Sequence, residues 1–226
     1  MNRRLQLSLL IGLTVLLSAC TDDVLVFPTP EPANVKIVNT TQDVSVLETV
    51  IDASTSIVAE RGSPSAYVSV PAGRPIGFVF KSNGADLRRD TLFYTLGGGA
   101  NVILFARGSQ SRLIEFRRAL QDTSIAAAAD PVVRFVHMAE NTDQFVTLEV
   151  FTQSGQRAFA EIFDPGIASA YTSFPAGEYT FEAREWETTT VAARFTATLE
   201  AGKSYTMYAY DAAPPLRDSI ALQMFE

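Results

Sequence analysis

The sequence predicts an all-β protein built as two tandem antiparallel β-sandwiches. Three observations carry this. The phrase SAYVSVPAG at residues 65–73 returns as SAYTSFPAG at residues 169–177, with seven of nine positions identical. Apolar and polar residues alternate at period two through much of the chain after residue 34, the pattern of strands with one buried face. No segment in that part shows a convincing long helical period. The nearest is SRLIEFRRALQDTSIAAAAD at residues 111–130, whose first half reads as a last strand and whose remainder leaves room for a short helix only.

The phrase belongs to a larger repeat. VKIVN (35–39) matches VRFVH (133–137), and TLGGGANVILFARG (95–108) matches TLEAGKSYTMYAYD (198–211). The three matches keep their order, at offsets of 98, 104 and 103 residues. They define two copies, residues 34–118 and 131–226, joined by a linker over 119–130. Each copy has the size of a small sandwich domain.

Period-two alternation justifies the strands in turn. VKIVN and VRFVH alternate apolar residues with a cation, as half-buried strands do. The repeated phrase sets Tyr67 and Ser69 on one face against Ala66, Val68 and Val70 on the other, and Tyr171 and Ser173 against Ala170, Thr172 and Phe174. Its Pro-Ala-Gly is a turn, since proline presets φ and glycine accepts a positive φ. In EYTFEAR, Tyr179, Phe181 and Ala183 point inward while Thr180, Glu182 and Arg184 point outward. ARFTATL sets Phe195, Ala197 and Leu199 against Arg194, Thr196 and Thr198. In copy one the inward face is Ile76, Phe78 and Phe80, which begins three residues after Gly73. In copy two it begins two residues after Gly177. A one-residue slip would turn every side chain to the wrong face. Copy one is therefore expected to absorb an extra residue at Arg74–Pro75 as a bulge or wider turn, where proline is tolerated.

The first residues, MNRRLQLSLLIGLTVLLSAC, combine a basic head with a short apolar run and small residues. This is a signal-peptide layout over residues 1–19. Leu17-Ser18-Ala19-Cys20 resembles the lipobox of bacterial lipoproteins, which implies cleavage before Cys20 and a lipid on its thiol. Cys20 is the only cysteine, so the domains are expected to fold without disulfides. Thr21 directly after it resembles lipoproteins sent to the outer membrane of Gram-negative bacteria, with the leaflet left open. Residues 20–33 then form a tether whose Pro28, Pro30 and Pro32 favour an extended polyproline chain. Removing Arg3 and Arg4 with the signal leaves 16 cations against 25 acidic residues, a net charge of −9. That balance argues against a nucleic-acid partner. The charge is uneven: residues 34–118 carry a net +3 and residues 131–226 a net −7.

VRFVHMAENTDQFVTLEVF, SAYTSFPAGEYTFEA and TLEAGKSYTMYAYD together resemble the bacterial family called domain of unknown function 4397. Copy one departs from the pattern at Asn39, Pro75 and Val102-Ile103. The resemblance implies immunoglobulin-like sandwiches in secreted or lipid-anchored proteins, and brings no established activity.

The catalytic inventory is thin. The one histidine, His137, stands where copy one has Asn39, which favours a hydrogen-bonding role at a strand end over a catalytic one. One histidine and a lipidated cysteine leave no zinc constellation. Gly97–Gly99 lies between strands, outside the context of a phosphate loop. Glu182, Glu185 and Glu187 surround Trp186, a pattern that suits a sugar site but more simply a polar hairpin end. Residues 140–144, ENTDQ, make at best a weak cation loop. The expectation is a non-catalytic envelope lipoprotein acting as a binding, adhesion or structural module without cofactor. Its partners would be the membrane, through the lipid, and a protein or glycan, with Trp186 and His137 as the ligand contacts the sequence offers. The alternatives are an envelope hydrolase with a carboxylate site and a spacer subunit of an envelope assembly.

Overall fold

The structure, a computed structural model, describes residues 29–87, 91–110, 114–120, 129–139, 146–185, 187–212 and 220–226. The expected signal peptide, Cys20, the expected tether to residue 28, residues 121–128 of the expected linker, the ENTDQ loop and Trp186 lie outside the described residues.

Copy one contributes β1 (Ala33–Asn39), β2 (Val46–Ile51), β3 (Thr55–Glu60), β4 (Val68–Val70), β5 (Pro75–Ser82), β6 (Ala85–Asp86), β7 (Leu92–Thr95), β8 (Asn101–Arg107) and β9 (Glu115–Leu120). Copy two contributes β10 (Val132–His137), β11 (Val146–Thr152), β12 (Arg157–Phe163), β13 (Thr172–Ser173), β14 (Gly177–Glu185), β15 (Val191–Leu199), β16 (Ser204–Asp211) and β17 (Ile220–Phe225). The protein is all-β, and no helix occurs among the described residues. Each copy forms two sheets. In copy one the orders are β4-β1-β8-β9 and β3-β2-β5-β6, with β7 also on β5; in copy two they are β13-β10-β16-β17 and β12-β11-β14-β15.

The pairings are antiparallel except one in each copy. β1 runs parallel to β8, and β10 runs parallel to β16. A parallel pair needs a long connection, and here the rest of the sandwich supplies it. Burial follows the expected alternation. Ile76, Phe78 and Phe80 on β5 are buried, as are Tyr179, Phe181 and Ala183 on β14. Each set packs against its copy's other sheet. Phe78 and Phe80 meet Phe116 edge-on at 5.9 and 4.4 Å, and Phe135 meets Phe181 at 6.2 Å. Each buried ring contributes about 2–3 kcal/mol through burial.

The extra residue of copy one sits in a wider turn. Gly73 has φ +75° outside the strand and β5 starts at Pro75, whereas Gly177 is already paired with Leu199 inside β14. Arg74 in that turn reaches the Asp52 carboxylate, whose other oxygen accepts the Gly77 amide at 2.9 Å. Asp52 and Ala53 both take positive φ, as the tight β2–β3 hairpin requires.

Strand β1 keeps the alternation over Ala33–Lys36, with Asn34 and Lys36 only partly buried, but β10 is not half-buried as its cation alternation suggests. All six residues of β10 are buried, Arg134 included, and β8 is buried on both faces over Val102–Ala106. The reason is a third hydrophobic cluster, separate from the two sandwich cores. Val38, Ile103 and Phe105 of copy one pack there against Val136, Met138 and Tyr208 of copy two, flanked by Tyr210 and Phe225. The sheet carrying β1 and β8 thus stacks face to face on the sheet carrying β10 and β16. The molecule is four sheets deep, with β3-β2-β5 and β12-β11-β14-β15 outermost.

Candidate functional site

Polar contacts fix the direction in which the two sandwiches face each other. At the end of β1, the Tyr208 hydroxyl donates to the Gly62 carbonyl at 2.9 Å. Arg61 Nη2 donates to the Asp211 carbonyl at 2.6 Å, and Gln42 Nε2 to the Asp211 carboxylate at 3.1 Å. At the middle of β1, the Lys36 ammonium lies 4.8 Å from the Phe225 ring, and Phe225 pairs with Thr206 near the start of β16. Strands β1 and β16 therefore run the same way across the seam. The starts of both copies share one end of the molecule, and the loops that follow β1, β3, β8, β10, β12 and β16 share the other.

Residues 30–32 occupy the first end. The Gly99 amide donates to the Glu31 carbonyl at 3.3 Å, and Pro30 packs on Gly73. The Pro-Ala-Gly turn and the Gly-rich turn of copy one thus form the seat for residues 30–32. Their counterparts, residues 175–177 and 200–202, lie at the same end of copy two.

The far end is a joint rim. Arg61 Nε holds the Thr41 carbonyl at 2.8 Å while its Nη2 holds copy two, so one guanidinium ties two loops and two domains. Asp43 Oδ1 accepts the Gln110 amide at 2.8 Å, which ties the β1–β2 loop to the β8–β9 loop. Asp211 is a carboxylate only 1% exposed at the base of this rim. Exposed Gln110 and Ile167 stand at its surface.

Half-way along the seam the repeat produces a second pairing. Tyr67 and Tyr171 are equivalent residues of the repeated phrase, and Lys36 and Arg134 are equivalent cations of the first strands. Lys36 lies 4.4 Å from the Tyr67 ring, and the Arg134 guanidinium 4.9 Å from the Tyr171 ring. Arg134 also donates to Thr206 Oγ1 at 3.0 Å. Burial pushes the Tyr67 hydroxyl up to about 12, opposed by the Arg134 guanidinium and aided by a smaller push from Tyr171. Burial lowers the Lys36 ammonium.

The residues singled out from the sequence fall apart. His137 is 2% exposed and lines a cavity of about 20 Å³ in the second core with Phe163, Leu148 and Met207, so it does not present a surface contact. Its backbone closes the loop after β12, accepting from Gly166 at 2.6 Å and donating to Ile167 at 3.0 Å. The equivalent Asn39 does the turn work: its Nδ2 donates to the Val44 carbonyl at 2.9 Å and its Oδ1 accepts the Thr41 hydroxyl at 2.6 Å. Glu182, Glu185 and Glu187 do not form one group. Glu182 sits mid-strand on the outer face of β14 between Arg184 and Arg194, while Glu187 stands in the β14–β15 turn with φ +59°. Among the described residues no set of three His, Cys, Asp or Glu side chains is gathered for a metal, and no helix is long and apolar enough to cross a membrane.

The seam was invisible to a reading that took each copy alone. The signal that marks it is the unbroken apolar run of NVILFAR and the aromatic run of SYTMYAYD, which suit strands covered on both faces.

Residues 144–226 match a family model described as Domain of unknown function (DUF4397), a stretch that runs from β11 to the end of copy two. No curated protein matches the chain. Among solved structures, the Bacillus anthracis TIE protein is 11% identical at a TM-score of 0.30, with 80% of this chain and 34% of that one covered. A leucine-rich repeat protein from Bacteroides thetaiotaomicron is 12% identical at 0.21, with 84% and 27% covered. A DUF3823 family protein from Bacteroides ovatus is 11% identical at 0.24, with 75% and 100% covered. This chain spans about a third of the length of the first and about a quarter of the second.

Proposed function

We propose that the protein is a non-catalytic, lipid-anchored binding module of the bacterial envelope, and that it engages its partner through the rim formed jointly by the loops of both sandwiches. The observation that carries this reading is the shared direction of β1 and β16 across the seam. It sets the loops of both copies at one end and the docked tether residues 30–32 at the other. Loops on a rigid scaffold are where binding residues concentrate. Pinning the rim through Arg61, Gln42 and Asp211 lowers the ordering cost a flexible pair of domains would incur on binding. Anchoring through Cys20 would hold this rim away from the bilayer, in keeping with the signal, lipobox and proline tether of the sequence.

The hydrolase alternative is less well supported. Glu182 is engaged by two guanidinium groups and Glu149 by Arg157 and Arg184, so these two neighbouring carboxylates already have charged partners.

Two measurements test the proposal. Cys20→Ser should move the chain from the detergent to the aqueous phase with its fold unchanged. Binding of the soluble chain to isolated envelope fractions should fall with Gln110→Glu or Ile167→Asp at the rim and stay the same with Arg74→Gln at the tether end. Detergent partitioning that survives Cys20→Ser overturns the anchor. Envelope binding lost with Arg74→Gln and kept with the rim variants overturns the rim.

A further inference from the structure

The outer face of the β12-β11-β14-β15 sheet carries a groove of about 560 Å³, lined by Phe151, Thr180, Glu182, Arg184, Arg194 and Thr196, among others. Its volume falls in the range of ligand sites. A chain of ion pairs crosses all four strands. Arg157 meets Glu149 at 2.9 Å, Glu149 meets Arg184 at 2.6 Å, and Arg184 and Arg194 share Glu182, the latter at 2.6 Å. Thr180 and Thr196 continue the face with their hydroxyls 3.3 Å apart.

The fold does not require this arrangement, as copy one shows. The equivalent sheet there has Val50 for Glu149, Val79 for Glu182, Gly77 for Thr180 and Phe93 for Thr196. Lys81 stands there for Arg184 but pairs with Asp86, so the same sheet is built without a ladder across four strands. Glu182 is nonetheless only 6% exposed, so its charge is largely stripped of water. Breaking even by ion pairing is the usual best outcome for such a group, so stability alone does not account for it.

The chemistry of the face is specific. Its carboxylates and guanidinium groups are planar and mutually held, which presents donors and acceptors in fixed positions. Threonine hydroxyls add groups that both donate and accept, and Phe151 adds an apolar surface at the groove. Three arginines against two glutamates leave the ladder nearly neutral, within a copy whose net charge is −7. That surrounding field repels a polyanion.

We infer that this groove binds a neutral, hydroxyl-rich glycan chain, whose hydroxyls bond to Arg194, Thr180 and Thr196, with the buried Glu182 holding the two guanidinium groups in place. The site is separate from the loop rim and stands or falls independently of it.

The test titrates the full chain with cellohexaose, laminarihexaose and mannohexaose as neutral probes and with oligogalacturonate as the acidic one. At least one neutral hexasaccharide should bind, with an affinity little changed by salt. Arg194→Ala and Thr196→Val should each weaken binding at least tenfold; Thr196→Val should leave Tm unchanged, whereas Arg194→Ala also lowers Tm because it removes a cation from the buried Glu182 carboxylate. Phe93→Ser on the equivalent face of copy one should leave it unchanged. No binding of any neutral probe, binding confined to the galacturonate, or binding indifferent to both Arg194→Ala and Thr196→Val would each overturn the inference.

Discussion

Phe105 and Tyr208 hold the same place in the two repeats and touch each other across the seam, with ring centroids 5.5 Å apart at 64°. Phe105 pairs with Val38 in the parallel β1–β8 ladder, and Tyr208 pairs with Val136 in the β10–β16 ladder. Contact between equivalent residues is the mark of a twofold relation, in which the same patch is used on both sides. The two sandwiches are thus packed as a homodimer would be, on one chain. Copy two alone, expressed as residues 129–226, should therefore self-associate through the face around Tyr208, and Tyr208→Asp should leave it monomeric. Sedimentation equilibrium checks both.

Gly62 lies under copy two, with φ +71°. A Cβ there would meet the Tyr210 hydroxyl and ring carbon Cζ as well as a strained backbone. Gly62→Ala is expected to cost about 2 kcal/mol or more and to lower Tm by about 4–8 °C. Gly84→Ala, also at positive φ but with open space around it, should cost about 1 kcal/mol from backbone strain alone. Thermal melts of the two variants separate the seam contact from the strain.

The wide turn at Arg74–Pro75 holds the extra residue of copy one outside the paired part of β5. Deleting Pro75 should shorten that turn toward the form seen before Gly177. Deleting Gly77 should shift Phe78 and Phe80 against Ile76 and destroy the inward face. The Pro75 deletion is thus expected to melt well above the Gly77 deletion; equal melting would contradict this placement of the extra residue.

Alkaline stability reports on Tyr67. Its hydroxyl rises from 10.0 to about 12 in the folded protein, chiefly through burial. The fold therefore favours the neutral phenol. The associated stability is complete below the unfolded value near 10 and is lost as pH climbs through 12. Tm should fall across that window, and Tyr67→Phe should flatten part of the fall. Tyr208 is pushed up by burial as well and contributes in the same direction, so the variant should not remove the whole slope.

Most of the strand pattern was legible because one-sided burial writes itself at period two, as at Tyr179, Phe181 and Ala183. The repeat made the equivalence of strands such as β1 and β10 legible, and the offset after Gly73 pointed to the wide turn. Three features were not. The parallel β1–β8 pairing joins segments far apart in sequence, and no local pattern encodes it. The burial of Arg134 depends on Tyr171 and on the opposing sandwich, so its charge read as an exposed face. The ion-pair ladder is spread over four strands, and only their register brings Glu149, Glu182 and Arg194 into line. His137 was legible as a strand-end residue but not as a core one, because its partner cavity is built from β11, β12 and β16.

Differential scanning calorimetry of the whole chain tests the central claim most directly, that the two copies are one body joined by a twofold-like seam. The chain should unfold in a single transition whose calorimetric and van't Hoff enthalpies agree. Tyr208→Ala, which removes a buried ring and its bond to Gly62 at a cost of about 3–5 kcal/mol, should split that transition into two. Two independent transitions in the unaltered chain, unmoved by Tyr208→Ala, would contradict the seam and the joint rim that rests on it.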